Sequence, residues 1–202
     1  MDQLILALSL PRSPTFDNFV VGRNAEAVAA LRALAAGRGA HRLIYLWGDA
    51  GCGRTHLLQA AQAAAGQSLQ VVDDVQLAGE AAQHELFKVA LMTLEGSGCL
   101  LVSADQPPAT LPLREDLRTR LAAGLVLRLS TLSDEDKREA LQARALELGI
   151  ALSPEATDYM LRHCPRDLKS LLAALEELDR ASLQRHRPVS LALLRQCLAI
   201  KT

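Results

Sequence analysis

From residue 24 to about residue 130, short apolar runs alternate with stretches in which apolar side chains recur every three or four positions. The runs are Leu43-Ile44-Tyr45-Leu46-Trp47, Leu69-Gln70-Val71-Val72, Cys99 to Ser103 and Leu125 to Leu129. Apolar runs of this length, bounded by Gly or Asp, read as strands buried on both faces of a parallel sheet. The intervening periodic stretches read as helices. Asn24 stands where a cap would open a helix running to about Ala36, with Ala25, Val28, Ala29 and Leu31 at helical spacing and Gly37 and Gly39 closing it. Further helices are expected from Thr55 to Ala65, over residues 81–95 with Ala82, Leu86, Ala90 and Leu94 on one face, and from Leu113 to Leu121. Strand–helix alternation of this kind predicts a parallel α/β fold.

Beyond Ser130 the spacing is helical throughout. Ser133-x-x-Asp136 is a capping-box variant that opens a helix ending near Gly149. Ser153-Pro154-Glu155 supplies a cap, a Pro in the first turn and an acid beside it. Leu168, Leu171, Leu172, Leu175 and Leu178 form the stripe of a third helix, and Pro188 sets off a last short one. The expected organisation is a tail and linker over residues 1–14, broken by Pro11 and Pro14, an α/β domain over 15–130 and an all-α domain over 131–202.

Composition narrows the function classes. Leu (40) and Ala (33) dominate the 202 residues and favour helix. Aromatics are 3%, too few for a platform that stacks single-stranded bases. A net charge of −1 leaves no overall basic footprint for duplex DNA. Cys52, Cys99, Cys164 and Cys197 are widely spaced, which argues against a disulfide framework or a zinc site and fits a reducing compartment. No apolar run is long enough to span a membrane, and Leu4 to Leu10 follow Asp2 rather than a basic segment, so a cytoplasmic protein is expected.

The chemistry concentrates in Gly48-Asp49-Ala50-Gly51-Cys52-Gly53-Arg54-Thr55, which follows the first strand and opens the second helix. It fits the phosphate-binding loop G-x-x-x-x-G-K-[ST] except that Arg54 replaces the Lys. Glycines let backbone N–H groups curl around phosphate oxygens, and the helix N-terminus adds positive potential. The cation meets the terminal phosphates and Thr55 can ligate magnesium. Arg is bulkier than Lys and forked, so binding is expected to persist with hydrolysis weakened or lost. Asp73 ends the second strand, where it can hold magnesium with Thr55. Asp74 stands where a hydrolysing enzyme commonly has a longer Glu to reach the attacking water.

The order of these features resembles the AAA+ module of the DnaA family of bacterial initiators, and more closely the Hda family of DnaA-related regulators. Thr15-Phe16-Asp17-Asn18-Phe19-Val20-Val21-Gly22 is similar to the segment that lines the adenine pocket there, which places Phe19 and Val20 at the base. Gly51-Cys52-Gly53-Arg54-Thr55-His56-Leu57-Leu58 looks like the Hda loop, Arg included. Ser103-Ala104-Asp105-Gln106-Pro107-Pro108 looks like the sensor 1 region, with Asp105 at the nucleotide. Leu132 to Lys137 and Leu178 to Ser182 also match.

Several expectations follow from this resemblance. Gly48, Gly51, Cys52, Gly53, Arg54, Thr55, His56, Asp73, Asp74, Asp105 and Arg166 would surround ADP, favoured over ATP, with or without magnesium. Arg166 would serve as sensor 2, and Arg120 as an arginine finger acting in trans on ATP held by DnaA. Gln3-Leu4-Ile5-Leu6-Ala7-Leu8 fits the clamp-binding hexapeptide Q-L-x-L-x-L, with Gln3, Leu4, Leu6 and Leu8 as contacts to the DNA polymerase sliding clamp. The implied function is negative regulation of replication initiation by inactivating DnaA-ATP, with DNA reached only through the clamp and a homo-oligomer compatible with the family. The alternatives are an autonomous AAA+ ATPase such as a helicase loader, and a clamp-binding adaptor with a vestigial nucleotide site. The initiator family places a strand and helix between the loop helix and the Asp-Asp strand. Here the interval from Thr55 to Asp73 has no room for them, which predicts a four-stranded parallel core. No DNA-binding helix-turn-helix domain follows the lid, so direct origin recognition is not expected.

Overall fold

The computed structural model describes residues 13–185 and 189–199. The chain runs through α1 (Ala25–Ala35), β1 (Leu43–Trp47), α2 (Arg54–Ala65), β2 (Leu69–Val72), α3 (Glu80–Leu94), β3 (Cys99–Ala104), α4 (Glu115–Ala122) and β4 (Leu125–Arg128). The strands form one sheet in the order β2-β3-β1-β4, every pairing parallel. Leu43 lies opposite Leu100, Ile44 opposite Leu125 and Leu69 opposite Cys99. Among the described residues no strand lies outside β2, so the core is the four-stranded one expected.

Alternate side chains of β1 leave the sheet on opposite faces, and each face is covered by helices. Ile44 and Leu46 pack with Leu31 of α1 and Leu57, Leu58 and Ala61 of α2. Leu43 and Tyr45 pack with Leu86 and Ala90 of α3 and Leu117 and Leu121 of α4. Burial on both sides is why β1 carries no polar residue.

Three local expectations are corrected. Asn24 does precede α1, but its side chain caps nothing in that helix. Its amide pairs with the main chain of Ser130 instead, Nδ2 donating to the carbonyl at 3.0 Å and Oδ1 accepting from the N–H at 2.8 Å. Buried at 3% exposure, it ties the start of α1 to the end of the sheet domain. A side chain enclosed on both sides satisfies its amide across the contact rather than along its own helix. The buried face of α1 is Ala27, Val28, Leu31 and Leu34, while Ala25 and Ala29 are exposed. On α3 the buried positions are Leu86, Ala90 and Thr93, while Ala82 and Leu94 are exposed. Thr93 follows the helical period from Leu86 and Ala90 better than Leu94 does, and its hydroxyl donates to the Val89 carbonyl at 2.8 Å.

The second part is all helix: α5 (Asp134–Glu147), α6 (Pro154–His163), α7 (Leu168–Arg185) and α8 (Leu191–Ala199). Leu141, Met160, Leu161, Leu171, Leu175, Leu178 and Leu194 make its core. The capping box of α5 forms: the Asp136 N–H donates to the Ser133 hydroxyl at 3.1 Å and the Ser133 N–H to the Asp136 carboxylate at 2.8 Å. Ser153 accepts from the Ala156 N–H at 3.2 Å and Pro154 is the first residue of α6. No described helix is long and apolar enough to cross a membrane.

Candidate functional site

All four strands run the same way, so their C-terminal ends gather on one edge, the usual binding edge of an open parallel sheet. The loop after β1 opens α2 there. Gly51 (φ 80°) and Gly53 (φ 98°) take left-handed conformations that side chains resist. Gly48 is required for space: a Cβ on it would stand 2.4 Å from the Leu129 carbonyl oxygen. Gly53 precedes α2 and has no side chain to cap it, so the helix's first turn opens onto the loop. These features fit a phosphate group without further adjustment.

Behind the loop the acidic pair is tightly organised. The Thr55 hydroxyl donates to Asp73 Oδ2 at 2.7 Å, which brings the two expected magnesium ligands together. Ser103 Oγ donates to the other oxygen of Asp73 and accepts from the Asp74 N–H at 3.1 Å. Asp74 is the one described non-glycine residue at positive φ (49°). That backbone turn aims its carboxylate at Arg54, whose NH2 donates to it at 3.0 Å, while Gln76 Nε2 donates to the same oxygen at 3.0 Å.

Arg54 is the largest departure from a Lys-bearing loop. Its NH1 donates to the carbonyls of Gly48 and of Ala104, the latter at 2.7 Å. With Asp74 these contacts lie at the ends of β1, β3 and β2, and the Arg54 side chain is only 13% exposed. The cation is thus drawn back beneath the loop. A forked guanidinium can span the strand ends in this way, which a point-like ammonium cannot.

Around this centre, Phe19 covers the loop. A Cβ on Gly53 would meet its ring at 2.7 Å, and the ring lies 5.3 Å from that of His56. His56 Nε2 is 2.9 Å from the Thr15 carbonyl, and Val20 is half-buried beside Phe19. Cys52 is buried, and burial pushes its thiol above the usual range. Asp105 is exposed at the end of β3. Buried Tyr45 donates its hydroxyl to the Gln106 carbonyl at 2.7 Å, and burial, with the Asp105 charge second, holds its phenol un-ionised well above the ordinary value. From the helical part, Asp167 reaches the loop: a Cβ on Gly51 would lie 3.3 Å from its Cβ. Burial opposes ionisation of Asp167, but hydrogen bonds from Ser170 outweigh it and hold the carboxyl below its usual range. Arg166 is turned aside onto Asp134 at 2.8 Å and is largely exposed.

Arg120 lies on α4, away from this cluster. Arg114, which precedes α4, pairs with Asp116 at 2.6 Å and touches His84 at 2.9 Å, and Arg118 donates to the Ala109 carbonyl at 3.2 Å while its Nε is buried without a partner. The Arg120 side chain makes no hydrogen bond or ion pair with any described residue, and its Nε is buried without a partner. Gln3, Leu4, Leu6 and Leu8 lie outside the described residues. Cavities of about 280 and 380 Å³ lie elsewhere, at the opposite end of β1 and beside the outer edge of β2.

Two residues of the cluster were not anticipated as ligands of the acidic pair. Ser103, fully buried, is the one hydroxyl in the apolar strand β3, a signal visible in the sequence. Gln76 reveals itself only through geometry, with Nε2 on Asp74 and its buried Oε1 unpartnered.

Residues 134–198 match the family model of the Hda lid domain, and residues 10–70 match that of the bacterial DnaA ATPase domain. Among solved structures, domain III of the Thermotoga maritima replication initiation protein DnaA superposes with a TM-score of 0.78 at 22% identity, covering 92% of this chain and 95% of that one. AMPPCP-bound DnaA from Aquifex aeolicus gives 0.72 at 20% identity, over 87% of this chain and 68% of that one. The RuvB Holliday junction branch migration motor of Thermotoga maritima gives 0.71 at 14% identity, over 94% and 72%. At these identities the structural likeness establishes the fold: an α/β AAA+ domain followed by a helical lid.

Proposed function

We propose that this chain, an AAA+ protein related to DnaA and Hda, is a negative regulator of replication initiation that drives hydrolysis of ATP held by DnaA. Nucleotide binding is the better supported half. The loop fits phosphate, Thr55 and Asp73, the two residues expected to hold magnesium, are hydrogen-bonded to each other, and a DnaA of the same fold carries AMPPCP. A magnesium-bound nucleotide would supply charge at the loop. This chain's own residues orient it: Gly51 and Gly53 through their backbone, Phe19 by covering the loop, and Thr55 with Asp73 as the cation site.

The regulatory half rests on one observation, the contrast between Arg54 and Arg120. The cis cation is committed to its own sheet, while the half-buried side chain of Arg120 on α4 has no described partner. A guanidinium brought to a neighbouring subunit's terminal phosphate stabilises charge developing in the transition state, worth about 10³–10⁵ in rate. We infer that Arg120 plays this part toward DnaA-ATP, that ADP is the nucleotide bound by this chain, and that Gln3 to Leu8 tether it to the sliding clamp. The experiment is single-turnover hydrolysis of DnaA-bound ATP with clamp loaded on DNA. Wild-type chain should accelerate it, and Arg120→Ala should not. Full activity in Arg120→Ala would remove the finger, and activity without the clamp would remove the tether.

A further inference from the structure

The position of Arg54 carries a consequence for which nucleotide the loop prefers. A diphosphate can be held by loop N–H groups and a helix N-terminus, whereas a third phosphate calls on the loop's cation. Here that cation is bound by two strand-end carbonyls and by Asp74. The Ala104 carbonyl accepts both from Arg54 and from the Gly48 N–H at 3.3 Å, so Arg54 continues the sheet's own ladder past its last rung.

Resting on the nucleotide-binding reading above, we propose that Asp74 is a positioning residue that latches Arg54 beneath the loop and thereby sets a preference for nucleoside diphosphate over triphosphate. A triphosphate must either recruit Arg54 away from Asp74 or accept the cluster without it. In the first case the Asp74 carboxylate loses its cation beside a newly arrived anion. A diphosphate asks for neither.

Three features make Asp74 suited to this. Its left-handed backbone (φ 49°, ψ 53°) is held by the Ser103 hydroxyl on its N–H, and Asp and Asn are the side chains that tolerate such a turn best. Gln76 braces the oxygen that receives Arg54. Asp73, its neighbour, is already engaged by Thr55 and Ser103, so the two carboxylates divide their tasks, one for the magnesium position and one for the arginine.

The test is equilibrium binding of ADP and of ATP, each with magnesium, to the full chain and to two variants. Asp74→Asn keeps the shape and the backbone turn but removes the charge. It should raise ATP affinity about tenfold relative to ADP, the difference between a charge-assisted and a neutral hold on Arg54. Arg54→Lys, which cannot span the strand ends, should shift the ratio the same way. The double variant should shift it no further than the larger single one, since both break one interaction. A merely structural role would weaken both nucleotides together and leave the ratio in place, which overturns the latch. So does an unchanged ratio in Asp74→Asn while the wild type binds ADP, an outcome that leaves the nucleotide-binding reading intact. A wild type that binds neither nucleotide overturns both.

Discussion

The loop after β1 and the helix α4 each carry an arginine, and the two are kept in opposite states. Arg54 is nearly enclosed, with its hydrogen bonds spread over three strand ends. Arg120 has no described acceptor for its guanidinium, whereas Arg114 is paired with Asp116, and Arg118, its own Nε also unpartnered, keeps one bond to the Ala109 carbonyl. A group serving its own chain can be fixed by that chain's hydrogen bonds. A group serving another subunit has its acceptor there, and the isolated chain leaves it unsatisfied. The two arginines therefore differ in what their own chain supplies them: acceptors for Arg54, none described for Arg120.

The largest effect should separate the two arginines by function. Arg120→Ala should lower stimulated DnaA-ATP turnover by about 10³ or more, with ADP binding and melting temperature close to wild type. A variant that loses ADP binding or melts early would place Arg120 in the structural class with Arg54. The converse substitution, Arg54→Ala, should cost about 2 kcal/mol of stability in denaturant unfolding, because it removes one donor each from two carbonyls and from a half-exposed Asp74. A variant as stable as wild type would show that Arg54 is not the strut its contacts suggest.

A smaller effect tests the tie between the start of α1 and the end of the sheet domain. Asn24→Ala removes both bonds to Ser130 and should destabilise by about 1–2 kcal/mol, visible as a lower urea midpoint. A capping role would put the loss in α1 alone, whereas the tether puts it in the whole sheet domain. Smallest is the α5 cap: Ser133→Ala should cost about 1 kcal/mol at neutral pH. Hydrogen bonds from the Ser133 hydroxyl, then its N–H, hold the Asp136 carboxyl below its usual range. Because the folded value is depressed, the stabilisation is complete above the unfolded value near about 4 and fades as pH falls through the folded one. The gap between wild type and Ser133→Ala should therefore close on acidification; a gap that stays constant down to pH 3 would show that the Asp136 charge has no part in the cap.

The strands were legible because burial on both faces leaves an uninterrupted apolar run, and β1 and β2 begin and end where the sequence placed them. The absent edge strand was legible as an interval too short to hold it. The caps of α5 and α6 were legible because capping is local. What escaped was long-range. Asn24 has the right residue type in the right place for a cap, and only the approach of Ser130, far along the chain, diverts its amide. Arg54 announced a cation at the loop, but its withdrawal depends on Ala104 and Asp74, which the fold alone brings to it. Ser103 could have been found by asking why a buried strand keeps one hydroxyl next to an aspartate pair.

The strand order also fixes when the domain can exist. β1 is the first strand made, yet both of its neighbours, β3 and β4, come later, with Leu43 waiting for Leu100 and Ile44 for Leu125. Until β3 is made β1 has no sheet to join, and Leu43 and Tyr45, whose covering helices α3 and α4 also come later than β1, stay uncovered in a nascent chain longer than Ile44 and Leu46, which face α1 and α2. Sheets assembled from such distant partners form slowly and expose sticky intermediates. The completed β4 is therefore a checkpoint in biogenesis: a chain truncated before Leu125 should be recovered as aggregate, whatever its helices do.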